Sequence, residues 1–245
     1  MRHVFRYLTH DEPREGVDIV LAPDDSHHLA RVVRRRTGDM VEVIGPSGDL
    51  WPCEVRDQGP PSVLGVTGPA RSAPATVPLS LWVGLADAGR LDLVAEKAAE
   101  LGVSHLGVMV SERARRVPDP AAWQRRATRM SRLADAAARQ SGRGVRPVQM
   151  GLVPFAHVLA EIPLGEGILL DPRADASLVE AMRARPAGGG VTLLVGPDTG
   201  FSDTEVGAAR DAGVDLAHLG VGVLRAETAG VTAVVIALGA MGGLG

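Results

Sequence analysis

Gly196-Pro197-Asp198-Thr199-Gly200-Phe201 follows the apolar run Val191–Val195 and precedes Ser202 and Glu205, which stand at the spacing of a helix capping box. Glycines between a buried strand and a helix let a ligand approach the backbone at the C-terminal edge of a parallel sheet. The alternative is a plain tight turn. The loop matches neither the Walker A pattern nor GxGxxG, which disfavours nucleoside triphosphates and dinucleotides. A second stretch, Leu219-Gly220-Val221-Gly222-Val223-Leu224-Arg225-Ala226-Glu227-Thr228-Ala229, brings an arginine and a glutamate to the mouth of an uncharged apolar segment. Arg225 and Glu227 read either as site residues or as a surface pair. Thr228 or Glu227 alternatively caps the helix that follows.

The third candidate is a run of cations. Glu112 to Arg146 holds ten arginines against three acids, a polyanion footprint or a solvated helix face. Asp119 to Gln140 reads as one helix, started by Pro118 and Pro120 and ended at Ser141-Gly142. At helical spacing Arg125, Arg129, Arg132 and Arg139 fall within about 80° of one another. Ala127, Met130, Ala134 and Ala137 fall opposite, with Trp123 beside them. Only Asp135 offers neutralisation within the helix, so the stripe reads as four unpaired guanidinium forks suited to phosphates. Among 26 cations, Lys97 is the one lysine. It reads as a partner of Glu96 or Glu100, or as a site where a guanidinium does not fit.

The elements that must position these groups follow from pattern. Residues 1–70 read as mostly β: Asp39–Ile44, Leu50–Val55 and Val63–Val66 are strands, and Ser26–Val33 is a short helix capped by Asp25 or Ser26. Gly68–Ala75 is the linker candidate. Beyond it strands and helices alternate. Strands are read at Leu79–Leu85, His105–Val110, Gly167–Leu170, Val191–Val195 and Leu216–Leu219. Helices are read at Leu91–Leu101, Ser177–Arg183, Thr204–Ala212 and Thr228–Leu238, besides the arginine helix. Continuous apolar strands imply a parallel sheet buried on both faces, hence an α/β fold.

Composition narrows the function classes. With 45% hydrophobic and 22% charged residues the chain is globular, not disordered. One cysteine, Cys53, excludes a disulfide framework and a cysteine zinc site, and His27-His28 has no third ligand at metal spacing. No metal is expected. The charged N-terminus has no signal-peptide core, and Ala229–Gly245 is shorter than a bilayer span, which points to a cytoplasmic protein without membrane contact. The net charge of −3 divides into −3 over residues 1–70, +6 over 71–160 and −6 over 161–245. A basic middle with acidic flanks is compatible with a nucleic-acid partner.

Lys97-Ala98-Ala99-Glu100-Leu101-Gly102-Val103, Ser111-Glu112-Arg113, Gln140-Ser141-Gly142-Arg143, Pro147 and the two glycine stretches occur in an order that resembles the RsmE family of the SPOUT superfamily. His27-His28-Leu29 through Val33-Arg34, then Gly38-Asp39, resembles that family's N-terminal module. The resemblance covers nearly the whole chain. It implies a PUA-like RNA-binding β-barrel over 1–71 and a SPOUT methyltransferase domain over 72–245, with a parallel sheet and a C-terminal trefoil knot. It also implies S-adenosylmethionine as cofactor, methylation of N3 of a uridine in 16S ribosomal RNA of the small subunit, and a homodimer whose site draws on both subunits. Cofactor contacts are then expected at Leu170, Gly196, Pro197, Gly200, Leu219, Gly220, Leu224, Ala226, Thr228 and Ala229. Arg225 and Glu227 are the expected catalytic residues. Arg34, Arg113, Arg125, Arg129, Arg132, Arg139 and Arg143 are expected to hold RNA. In that family the loop usually reads GPEGG, so Thr199 puts a side chain where glycine is customary. Competing readings are a SPOUT enzyme acting on another RNA such as tRNA, and a non-catalytic RNA-binding or ribosome-assembly protein.

Overall fold

The computed structural model describes residues 5–9, 11–72, 78–114, 116–141, 147–186, 188–220 and 222–243. The chain divides into two compact units, one of Met1–Ala75 with Ala138–Val145, the other of Thr76–Ala137 with Arg146–Gly245.

The first unit is built on a five-stranded sheet. Its strands are β1 (Arg6–Leu8), β2 (Asp18–Val20), β3 (Met40–Ile44), β4 (Leu50–Asp57) and β5 (Val63–Val66), ordered β1-β3-β4-β5-β2. β3 and β4 form a hairpin in which Ile44 faces Leu50. β1 adds to β3 in parallel, and the other pairings are antiparallel. Alternation turns Val41, Val43, Cys53, Val55, Leu64 and Val66 inward around Tyr7 and Leu29. Burial pushes the Cys53 thiol up to about 12, so it stays protonated and unreactive at neutral pH. The short helix begins earlier than the sequence suggested. α1 spans Pro23–His27 and continues as a π-helical turn over His28–Val32. Its N-cap is Ala22, not Asp25 or Ser26. Pro23, with its preset φ and missing N–H, occupies the first turn. Ser26 turns inward instead, donating to the Leu21 carbonyl at 3.2 Å and accepting from the Ser62 amide at 2.9 Å.

The second unit is an α/β layer structure. Its strands are β6 (Leu79–Gly84), β7 (His105–Val110), β8 (Val148–Pro154), β9 (Gly167–Leu170), β10 (Val191–Val195) and β11 (Asp215–Ala217). They form one sheet ordered β11-β9-β10-β6-β7-β8, parallel throughout. The helices are α2 (Ala88–Leu101), α3 (Pro120–Ser141), α4 (Phe155–Glu161), α5 (Leu178–Arg183), α6 (Asp203–Asp211) and α7 (Ala226–Ala240). Every residue of β9 and β10 is buried, as a strand covered on both faces requires. Val191, Leu193 and Val195 pack with α2, α5 and α7 on one face. Leu194 joins Trp82, Phe155, Phe201 and Val206 on the other, under α4 and α6. β8 and α4 are not visible in the sequence pattern. β8 contains Gly151 and ends at Pro154, its register against β7 shifts between Leu106 and Val108, and α4 is only seven residues long.

Beyond Glu227 in its first turn α7 carries no charge, because it packs on several sides. It contacts α2, α5, β6 and β10, and buries Gly230, Ala233, Val234, Ala237 and Leu238. Among the described residues no helix is long and apolar enough to cross a membrane.

Candidate active site

Three neighbouring strands, β11, β9 and β10, end at the same edge of the sheet. Their continuations, starting at His218, Asp171 and Gly196, surround a cavity of about 350 Å³. Its lining combines loop backbone and apolar residues, among them Leu170, Val195, Phe201, Leu219 and Leu224, with the polar residues Arg113, Asp171, Arg173, Asp198 and His218 at its rim. The continuation past β9 is tied to the end of β11 by the Asp171 amide, which donates to the Ala217 carbonyl at 3.0 Å.

The Gly196–Gly200 loop is held from several directions. The Gly200 amide closes a turn onto the Pro197 carbonyl at 2.7 Å, and Gly200 takes φ +67, a left-handed conformation that glycine adopts without strain. Thr199 does not need that conformation. Its Oγ1 donates to the Arg113 carbonyl at 3.2 Å, and Arg113 Nη1 donates to the Thr199 carbonyl at 3.0 Å. The side chain at 199 therefore adds a tie and no strain. Asp198 pairs with Arg90 of α2. Phe201 packs on Phe155 with ring centroids 5.2 Å apart. Ser202 and Glu205 form the expected capping box on α6. The Ser202 hydroxyl also donates to Glu112 at 2.5 Å, and buried Glu205 accepts from the Glu112 amide at 2.8 Å. Behind the loop β6 ends at Gly84, where a Cβ would stand 2.3 Å from the Pro197 nitrogen.

Asp171, one residue past β9, is 6% exposed and gripped by Arg173 through Nε and Nη2. Arg173 Nη1 reaches Asp203 at 2.5 Å. The guanidinium holds the Asp171 carboxyl below its ordinary pKa, with a smaller opposing effect of burial, and does the same to Asp203. A depressed folded-state pKa stabilises the protein above the ordinary carboxylate range, and this is lost as pH falls through that range toward the folded value. Arg173→Ala is accordingly expected to flatten the acid side of the stability profile. Urea midpoints measured from pH 5 down to pH 3 will fall less steeply than for the parent, and equal slopes would refute the linkage.

The structure gathers Leu170, Gly196, Pro197, Gly200, Leu219, Gly220, Leu224, Ala226 and Ala229 around the one cavity. Thr228 is exposed on α7 and is not part of the lining. Arg225 is the N-cap residue of α7, exposed, between the lining residues Leu224 and Ala226, and makes no side-chain cap bond. Glu227 faces Arg90 at 3.8 Å, and its Oε2 is buried without a hydrogen-bond partner among the described residues. Arg90, Arg173 and His218 are the residues that sequence reasoning missed here. The visible signal for Arg173 was its place three residues beyond the end of β9. Nothing marked Arg90, whose partners lie more than a hundred residues away.

The arginine stripe is corrected in part. Arg125 and Arg132 are exposed and without acidic partners among the described residues. Arg129, however, bonds Asp92 of α2 at 2.6 Å. Arg139 pairs with Asp25 at 3.2 Å within the first unit. The acids of α3 alone leave the stripe unpaired, but both of these partners belong to other elements. Arg113 lines the cavity, and Arg34 is exposed with φ +53. Arg143 lies outside the described residues. Lys97 bridges Glu96 at 2.7 Å and Glu100 at 2.8 Å, the plainer of its two sequence readings. Hydrogen bonds to Glu100 and then Glu96 raise its pKa. Among the described residues there is no group of His, Cys, Asp and Glu able to hold a metal.

A ligand cavity at the carboxyl edge of a parallel sheet suits many enzymes, and comparison with known families supplies the class. Residues 73–238 match the RNA methyltransferase domain, and the chain belongs to that family. Its relatives narrow the assignment. The ribosomal RNA small subunit methyltransferase E of Mycobacterium bovis is 29% identical over 236 residues, covering 94% of this chain and 88% of the relative. That of Synechocystis is 25% identical over 230 residues, covering 92% and 74%. The crystal structure of the Neisseria gonorrhoeae methyltransferase E bound to S-adenosyl methionine shares the fold, with a TM-score of 0.85 at 21% identity, covering 96% of this chain and 97% of that one. The chain is thus a methyltransferase of the RsmE family.

Proposed function

We propose that this protein methylates N3 of a uridine in 16S ribosomal RNA, using S-adenosylmethionine. The observation that carries the reading is the glycine-walled cavity at the edge of β11, β9 and β10, inside the segment that matches the RNA methyltransferase domain. The residues present fit the cofactor. The apolar wall of Leu170, Leu219, Leu224 and Ala226 suits a flat heterocycle, and the loop backbones supply polar groups at the rim. Gly84 lets the loop lie against β6, where a side chain would displace it. When bound, the cofactor supplies an electrophilic methyl group that needs no metal.

The chain's own residues must then bind the RNA, orient the base and handle its charge. Uracil N3 carries a proton that is not lost readily at neutral pH. As N3 becomes nucleophilic, negative charge spreads to O2 and O4. A guanidinium beside either oxygen stabilises that charge through strong hydrogen bonds. Arg225 suits this role, being unpaired among the described residues and next to the cavity lining. Glu227 braces Arg90, which also grips Asp198, so it supports the loop from the α7 side.

Exposed Arg125 and Arg132 fit an RNA-phosphate footprint. The double variant Arg125→Glu/Arg132→Glu is expected to weaken 16S rRNA binding. It should also reduce the slope of log K against log salt by about 0.7 for each single-strand phosphate that is no longer neutralised. Filter binding across a salt series checks this, and an unchanged slope would remove these two residues from the footprint.

The same reading includes a C-terminal trefoil knot, a PUA-like RNA-binding module over residues 1–71, a methyltransferase domain over 72–245, a homodimer and a cytoplasmic location. The five-stranded sheet of the first unit supports the PUA-like module. The knot is supported by the strand order, in which β11 joins the sheet edge before α7 returns to pack on β6 and β10. The deciding experiment incubates 16S rRNA or small subunits from a deletion strain with labelled S-adenosylmethionine and maps the product by mass spectrometry. Methylation at uridine N3 is expected. Methylation of tRNA alone, or none despite cofactor binding, would overturn the reading.

A further inference from the structure

The Gly196–Gly200 loop has two sides. One faces the cavity just described. The outer side of Pro197, Asp198 and Thr199 lines a second cavity, about 560 Å³, closed opposite by the segment Val117-Pro118 and the start of α3. Arg113 belongs to both linings. This second cavity differs in character from the first. Arg113, Arg116 and Arg126 bring three guanidinium groups to it. Arg113 is spent on the Thr199 carbonyl, and Arg126 makes one long contact, 3.4 Å to the Ala86 carbonyl. Arg116 is exposed and has no hydrogen-bond or ion-pair partner among the described residues. Asp87 faces the same space and, although it is the N-cap residue of α2, its side chain makes no capping bond.

Asp119 and Asp198 line it as well, but Asp119 accepts from the Ala122 amide at 2.7 Å and Asp198 pairs with Arg90, so none of the three guanidiniums has a carboxylate partner among the described residues. Cations so placed in a concave site call for an anion. Flat apolar surface beside them, from Val117 and Pro118, suits a ring. A carboxylate among the guanidiniums adds an acceptor for an imide or amine N–H. A nucleotide offers all three: a phosphate, a planar base and N–H donors. Only the thickness of the loop separates this space from the first cavity. We propose that this cavity is the seat of one RNA nucleotide, with Arg116 and Arg126 on its phosphate, the Val117-Pro118 segment against its base and Asp87 as acceptor. The proposal rests on the RNA methylation reading given above and adds to it where the substrate strand is held.

The test separates the two. Steady-state methylation of 16S rRNA by Arg116→Glu is expected to show KM for RNA at least tenfold above the parent, with cofactor affinity by calorimetry unchanged. Arg116→Lys, which keeps the charge, should recover most of the loss. An unchanged KM in the folded Arg116→Glu variant would overturn the site, as would a parallel loss of cofactor binding. A readout independent of turnover is photocrosslinking of a single-stranded oligonucleotide containing 4-thiouridine. Crosslinks are expected in the peptide bearing Val117 and Pro118, competed by phosphate-bearing uridine 5′-monophosphate better than by uridine. Crosslinks elsewhere would overturn the site. Crosslinks here from a protein that methylates no 16S rRNA would leave the site standing and bring down the methylation reading alone.

Discussion

Replacing Arg225 by alanine will lower kcat by about 10²–10³-fold, the range for removing one preorganised donor from a developing anion. Affinity for S-adenosylmethionine will stay near that of the parent. The reason is positional. Arg225 precedes α7 and lies exposed between two lining residues, while the cavity wall itself is made of Leu224, Ala226 and loop backbone. Its loss removes a donor without opening the wall. Rapid-quench single-turnover assays, with calorimetry for the cofactor, give both quantities. A native single-turnover rate would remove Arg225 from the chemistry. A collapse of cofactor affinity would make it a structural residue.

Gly84→Ala is the second large effect. The added Cβ would meet the Pro197 nitrogen at 2.3 Å, Pro197 Cδ at 2.5 Å and the Gly196 carbonyl carbon at 2.8 Å. These are backbone and ring atoms that cannot rotate aside, so either β6 or the loop must move. Overpacking of this kind costs about 1–3 kcal/mol. Because the strain falls on the loop that walls the cofactor cavity, affinity for S-adenosylmethionine should drop at least about tenfold, equivalent to 1.4 kcal/mol. Gly89→Ala is the control. It lies in α2 with nothing within 4 Å of the new Cβ, and should gain roughly 0.5–1 kcal/mol in helix stability. Calorimetric titration and thermal melting of both variants decide the matter. Parent-like cofactor binding by Gly84→Ala would show that the loop yields freely.

Much of the α/β unit was legible because its strands are short apolar runs bounded by turn residues. His105–Val110, Gly167–Leu170 and Val191–Val195 carry the same limits in the sequence reading and in the fold. The arginine helix was visible from its prolines and its opposed faces, and Met130, Ala134 and Ala137 are buried as the periodicity required. β8 escaped because Gly151 and Pro154 read as loop residues, although an edge strand tolerates both. The cavity loops were visible as glycines at strand ends. What stayed hidden depends on distance in sequence. Arg129 finds Asp92, Arg139 finds Asp25, and Arg90 finds Asp198, pairs that no local window contains. A side chain's charge can be read from its type, but its partner is a property of the fold.

The Pro197–Thr199 loop is a shared partition, since its two sides line two different cavities. A wall common to two ligands makes them thermodynamic correspondents. Whatever shift one occupant imposes on the loop alters the affinity of the other, and by linkage the factor is the same in both directions. The ties from Arg90, Arg113 and Glu112 set how stiff that partition is. In kinetic terms, the RNA and the methyl donor are not independent reactants, and the dissociation constant of each should be reported with the occupancy of the other.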